Sequence, residues 1–238
     1  MQTLDATIVL TLNGLARTSS TFDAIVVLLA ETALFKSGVL VALLWWTWER
    51  VGAKHPPPPV GLTLAGVVAA SAATRMLQNW LPPRPRPLHH PALDAAGFVP
   101  PYTVPPDALR EWSSFPSDTA ALSFALATAV FLAHRGAGVF AYAWALFVVC
   151  LPRLYVGYHY PSDILCGAAM GVAIMAGAAR LPVPPRVGAA AARLGRTYRG
   201  WLYAGVFLIT HQVATVFTDA RIWAGFMARA LSAAWHGP

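Results

Sequence analysis

Residues 153–163, Arg-Leu-Tyr-Val-Gly-Tyr-His-Tyr-Pro-Ser-Asp, place a guanidinium, an imidazole and a carboxylate within eleven positions. A neutral imidazole attacks phosphorus through one nitrogen only if the other is held as N–H. A carboxylate that accepts this hydrogen fixes the tautomer and stabilises the positive charge that develops. Pro161 predicts a helix beginning at its first turn, which places Asp163 at the third helical position, within reach of His159. His159 is therefore the candidate nucleophile, Asp163 its orienting partner, and Arg153 a ligand for phosphoryl oxygens.

Two other stretches carry matching chemistry. Phe-Pro-Ser-Asp-Thr, 115–119, precedes a run of small and apolar residues that predicts a helix. The free N–H groups and dipole at such a terminus favour an anion. Ser117, Asp118 and Thr119 read equally well as a plain helix cap, because Ser and Asp satisfy the same N–H groups. Asn-Trp-Leu-Pro-Pro-Arg-Pro-Arg-Pro, 79–87, holds Arg84 and Arg86, whose forked donors suit phosphate. The plain reading of these two is a solvated loop that touches lipid headgroups.

The elements that must position these groups are membrane helices. Of the 238 residues, 57% are hydrophobic and 11% charged, with nine Trp, which points to an integral membrane protein. Apolar stretches over 23–48, 60–80, 117–133, 139–151, 161–181 and 201–217 predict about six spans, the first broken near Lys36. Glu31 and Lys36 inside that first span flag a functional surface. Residues 1–22 and 219–238 read as interfacial segments. No secretory signal pattern opens the chain. Cys150 and Cys166 lie in or beside spans and read as packing residues. The net charge of +7 is spread between spans rather than gathered on a soluble domain, which argues against nucleic acid as a partner and for contact with membrane lipids.

Arg50, Lys54, Arg135 and the arginines of 180–199 fall on one side, which the positive-inside rule makes cytoplasmic. The proline-rich loop 81–115, the connection 152–162 and the start of the 117–133 span then meet on the opposite face. Arg84, Arg86, Ser117, Asp118, Arg153, His159 and Asp163 converge there.

Together the three stretches resemble the signature motifs of the type 2 phosphatidic acid phosphatases, the PAP2 family. Residues 153–163 match the third motif, Ser-Arg-x5-His-x3-Asp, with Pro152 in the serine position. Phe-Pro-Ser-Asp-Thr resembles the second, Pro-Ser-Gly-His, and is nearer the Pro-Ser-Asp-His form of undecaprenyl-diphosphate phosphatases in that family. Residues 79–87 resemble the first, Lys-x6-Arg-Pro, with Asn79 in place of lysine. The resemblance implies an all-α, polytopic membrane helical bundle with a PAP2/vanadium-haloperoxidase-like core over 23–181, followed by a basic connector, an additional membrane helix and a tail over 182–238.

The resemblance also implies that His159 forms a phosphohistidine, with Asp163 orienting it. Arg153, Arg84, Arg86, Ser117, Asp118, Thr119 and Asn79 would surround the phosphate, without metal or cofactor. Counting back seven places from Arg86 reaches Asn79, whereas Arg84 leads to Leu77, so Arg86 takes the motif's arginine. Arg75 or Arg84 would replace the missing lysine charge.

Thr119 stands where the family has the histidine that protonates the leaving oxygen. A threonine hydroxyl cannot act as an acid near neutral pH. A lipid phosphate leaving from a diphosphate is already a weakly basic anion and needs that proton least. The expectation is hydrolysis of a polyprenyl diphosphate, undecaprenyl or decaprenyl, to the monophosphate at the outer face of a bacterial-type plasma membrane. His89 or His90 in the long loop is a candidate substitute acid. The alternatives are a phosphotransferase that passes a phosphoryl-containing group from a polyprenyl donor to a glycan or lipid, and a non-catalytic binder of lipid phosphates.

Overall fold

Pro and Gly clusters divide the chain into apolar runs that can satisfy their backbone groups only within themselves, and each run becomes a helix. The structure, a computed structural model, describes residues 4–50, 59–105, 107–215 and 217–218, with the side chains of 50, 191, 192, 195 and 199 left aside. All regular structure among these residues is helical. The chain divides into two units, 1–181 and 182–238.

The first unit opens with α1 (Leu4–Asn13) and α2 (Ser20–Glu31), the latter capped by Ser19, whose hydroxyl accepts from the Phe22 N–H at 3.3 Å. The chain breaks at Thr32, passes a π turn over Leu34–Gly38 and continues as α3 (Val39–Arg50), bent by 60° from α2. The interruption expected near Lys36 thus falls just before the turn that contains Lys36. Next come α4 (Val60–Trp80), the long loop with its short α5 (Pro91–Ala95), and α6 (Asp118–Ala133). Then α7 (Arg135–Trp144), a π turn over Ala145–Cys150 and α8 (Leu151–Val156) run on as one helix of 22 residues. The wide turn precedes Pro152, which has no N–H to give to an ordinary helical ladder. The unit ends with α9 (Pro161–Ala179).

Of the six spans expected, three or four meet described helices of spanning length. Three described helices, Val60–Trp80, Arg135–Val156 and Pro161–Ala179, are long and apolar enough to cross a membrane, or four if the bent pair counts as one span. The 117–133 run forms a helix of only 16 residues, and it lies in the middle of the bundle with buried residues on every face. The second unit holds α10 (Pro185–Thr197) and α11 (Arg199–Ala214); α11 is likewise 16 residues long. The 219–238 segment lies outside the described residues, as does most of the 49–59 connector.

Three glycines set the geometry that matters. Gly167 and Gly171 of α9 form a Gly-x-x-x-Gly face against α6. A Cβ on either would stand 2.2 Å from a backbone carbonyl, that of Ser117 or of Ala121. The start of α6 is thereby pressed onto α9 just beyond Asp163. Gly157 ends α8 with φ of 83°, a left-handed cap that a side chain would oppose. Its carbonyl accepts from Leu88 N–H at 2.9 Å, and Phe98 occupies the space where a Cβ would be. The turn into His159 and the long loop are therefore locked together.

Candidate active site

The Gly157 turn delivers His159 into the interior with no exposed surface. Its Nδ1 lies 2.9 Å from the carbonyl oxygen of Ser114. A carbonyl only accepts, so Nδ1 carries the hydrogen and Nε2 presents its lone pair. Arg86 Nη1 approaches that Nε2 at 3.4 Å while donating to the Tyr158 carbonyl at 2.6 Å. The rest of the Arg86 guanidinium donates to the carbonyls of Trp112 and Ser113. Burial, followed by the charge of Arg153, brings Arg86 down to about 10, so it stays cationic at neutral pH. Burial also pulls His159 down to about 4; Asp163 opposes this, while Arg86 and Arg153 add to it. The ring is thus neutral, as a nucleophile must be.

The sequence spacing predicts that Asp163 takes the Nδ1 hydrogen of His159; that hydrogen lies on the Ser114 carbonyl instead. The Asp163 Oδ2 stands 3.8 Å from Nδ1 and accepts the Tyr160 N–H at 2.7 Å. Its Oδ1 accepts from Arg84 Nη1 at 2.6 Å. The third position of a helix turns a carboxylate back onto the N-cap N–H, and that local bond has won. Asp163 remains a buried negative charge beside the imidazole, and the Ser114 carbonyl fixes the ring.

Ser117 caps α6, its hydroxyl accepting from the Ala120 N–H at 3.3 Å, and its own N–H donates to the Asp163 carbonyl at 3.1 Å. Asp118 accepts from the Thr119 N–H at 2.7 Å and from Arg75 Nη2 at 2.6 Å. Arg75 is held over the Trp112 ring, 4.5 Å from its centre. The cation beside the α6 terminus is therefore Arg75. Asn79, one turn later in the last turn of α4, is exposed, so its short side chain is not among the groups gathered here. Gln78 reaches inward instead and donates to the Pro116 carbonyl at 2.6 Å, anchoring the cap.

Arg153 donates through Nη1 to the Ala30 carbonyl at 3.1 Å, where α2 ends. Tyr158 is tied to the same place by a hydrogen bond from its hydroxyl to Glu31. Arg153 is 7% exposed, yet its Nε has no hydrogen-bond partner among the described residues. The same holds for the buried Ser114 hydroxyl. Buried polar groups rarely stay unpaired, and an anionic ligand would satisfy a guanidinium N–H and a hydroxyl. Arg84, by contrast, is engaged by carboxylates, donating to Asp163 and to Asp5.

Thr119 is buried, with its hydroxyl 3.4 Å from an Asp118 oxygen. His89 is bonded to the Ala108 carbonyl at 2.8 Å, and His90 caps α5 by accepting from the Ala92 N–H at 3.3 Å. Both loop histidines are thus built into the loop itself rather than held out as substitute acids. Ser114, Gln78 and Asp5 join the site without any motif to mark them. A backbone carbonyl leaves no mark in a sequence, and Asp5 lies 157 positions from Ser162, which it contacts.

The arrangement suits a displacement at phosphorus, since a neutral ring nitrogen faces the buried guanidinium of Arg86. Comparison with known proteins points the same way. The model of the PAP2 superfamily matches residues 60–184, a stretch that includes every predicted site residue. The chain is 28% identical over 168 residues to undecaprenyl-diphosphatase BcrC of Bacillus subtilis (strain 168), covering 68% of this chain and 76% of that protein. It is 39% identical over 62 residues to bacitracin transport permease protein BcrC of Bacillus licheniformis, covering 25% of this chain and only 29% of that relative's length. No solved structure matches at the same stringency.

Proposed function

The chain belongs to the PAP2 superfamily, and on that premise we propose that it is a membrane phosphatase that hydrolyses a polyprenyl diphosphate, of the undecaprenyl or decaprenyl class, to the monophosphate. A lipid phosphatase is the reading that family membership and the undecaprenyl-diphosphatase relative support together. The observation that carries the mechanism is the imidazole of His159, with Nδ1–H on the Ser114 carbonyl at 2.9 Å and Nε2 facing Arg86 at 3.4 Å.

In the first step Nε2 attacks the terminal phosphorus. The P–N bond forms as the bridging P–O bond breaks, and the electron pair departs on the lipid monophosphate. Arg86 and Arg153 would hold the phosphoryl oxygens, and the nearby Asp163 carboxylate would stabilise the cationic phosphoimidazole. Water then attacks phosphorus, the P–N bond breaks, and phosphate and a proton leave with the neutral ring restored.

The diphosphate is favoured over a monophosphate because the α6 terminus offers acceptors rather than acids. Asp118 accepts from both Arg75 and Thr119. The distribution of arginines supports a site on the extracytoplasmic face of a bacterial-type plasma membrane. The test is phosphate release from undecaprenyl diphosphate by purified full chain without any added acceptor. Transfer to a glycan or lipid acceptor with no free phosphate would overturn hydrolysis in favour of phosphotransfer.

A further inference from the structure

The N-terminal helix α1 reaches the site through Asp5. Its Oδ2 accepts from Arg84 Nη2 at 2.9 Å and from the Ser162 hydroxyl, while its Oδ1 accepts the Ser162 backbone N–H at 3.0 Å. Arg84 donates through its other terminal nitrogen to Asp163 at 2.6 Å and to Ser162 Oγ at 2.8 Å. One guanidinium therefore bridges two carboxylates, with the Tyr160 ring 4.1 Å from its central carbon.

The remainder of α1 is anchored on the long loop. Asn13 exchanges two hydrogen bonds with the Val99 backbone, at 2.7 and 2.8 Å, and Arg17 donates to the Pro100 carbonyl at 3.0 Å. Val9 is buried with Leu93, Phe98 and Tyr160.

We infer that Asp5 is a positioning residue for the reaction: it fixes Arg84, and through Arg84 the buried carboxylate of Asp163, so that α1 is part of the catalytic core. Asp163 has no exposed surface, whereas the Arg84 side chain is 34% exposed and sits on an irregular, proline-rich segment. A cation so placed is free to rotate into water or onto an incoming phosphate unless its second edge is held. Asp5 holds that edge. Were Arg84 to leave, Asp163 would be a buried carboxylate without its ion-pair partner, a costly state that favours its movement. Burial alone would raise the Asp5 carboxyl, yet the hydrogen bonds from Ser162 and Arg84 hold it below the usual range, so it is an anion at neutral pH.

The inference rests on His159 as nucleophile, and the test is a double-mutant cycle of Asp5→Asn and Arg84→Gln on the purified full chain. Asp5→Asn should lower kcat for phosphate release about ten-fold, with a smaller change in KM, as expected for loss of a hydrogen bond to a charged group. Arg84→Gln should cost more, and the double variant should be no worse than Arg84→Gln alone. Asp5→Glu, which keeps the charge, should recover part of the loss. Asn13→Ala breaks only the distant anchor of α1; it should lower the melting temperature, and its effect on kcat should multiply with that of Arg84→Gln. Orthovanadate affinity, measured by calorimetry on the same variants, reports the cycle whatever the lipid substrate. A wild type that binds vanadate but releases no phosphate would overturn the proposed reaction and leave the Asp5 cycle readable. Multiplicative effects of Asp5→Asn and Arg84→Gln in either readout, or an Asp5→Asn variant matching wild type, would overturn the role of Asp5.

Discussion

Arg86 places a guanidinium nitrogen 3.4 Å from Nε2 of His159, so the nitrogen that would attack phosphorus already faces the cation that would hold the phosphoryl oxygens. Replacing Arg86 with Gln should lower kcat/KM by about a hundred-fold or more, the scale of losing a charge-assisted contact in a dry site. Arg86→Lys should restore only part of this, because an ammonium cannot reproduce the fork that also meets the Tyr158, Trp112 and Ser113 carbonyls. Equal activity of the Lys variant and wild type would show that charge alone suffices.

The imidazole should stay neutral well into the acid range. Burial, then repulsion by Arg86 and Arg153, pulls His159 down to about 4 from an ordinary value of 6.5. Since the neutral form attacks, the acid limb of kcat/KM, corrected for ionisation of the substrate, should fall near 4 rather than near 6.5. Arg86→Gln removes one repelling charge and should move that limb upward. A wild-type limb at 6.5 would mean that the ring is solvated in the working enzyme.

Close approach of α6 and α9 holds the phosphate end of the site. Gly167→Ala sets a Cβ 2.2 Å from the Ser117 carbonyl, whereas nothing lies within 4 Å of one at Gly177 on the same helix. Gly167→Ala should cost about 1–3 kcal/mol in thermal or denaturant unfolding and most of the activity; Gly177→Ala should be near neutral. If the two behaved alike, the helix contact would not be what places Ser117.

Much of the site was legible because its key residues are local. Arg153, His159 and Asp163 lie on α8, a glycine turn and the first turn of α9, so their spacing in the chain keeps them close. Spacing misled where facing or reach decides. Asn79 lies at the motif position but is exposed, and the longer Arg75 reaches Asp118 at the α6 terminus. Asp163 had the right spacing to meet His159, yet capping its own helix drew it to 3.8 Å. The Ser114 carbonyl and Asp5 carried no signal, since one is backbone in a loop and the other is joined to the site only by the fold. Of the six apolar runs, three or four give described helices of spanning length, because those from 117 and 201 form helices of only 16 residues. Hydropathy does not register that the apolar run from 117 serves as the bundle's interior.

Thr119 bears on the choice of substrate. Thr119→His should raise turnover of a lipid monophosphate about ten-fold or more and change that of the diphosphate far less, because only the alkoxide leaving group needs an acid. Equal gains on both substrates would refute the leaving-group argument.

The most direct measurement is to mix the full chain with undecaprenyl diphosphate labelled in its terminal phosphate, quench within the first turnover, and look for an alkali-stable, acid-labile phosphoprotein. Wild type should carry the label on His159 and go on to release it as inorganic phosphate without any acceptor; His159→Ala should do neither. Labelling or phosphate release that survives His159→Ala would contradict a phosphohistidine mechanism at this site.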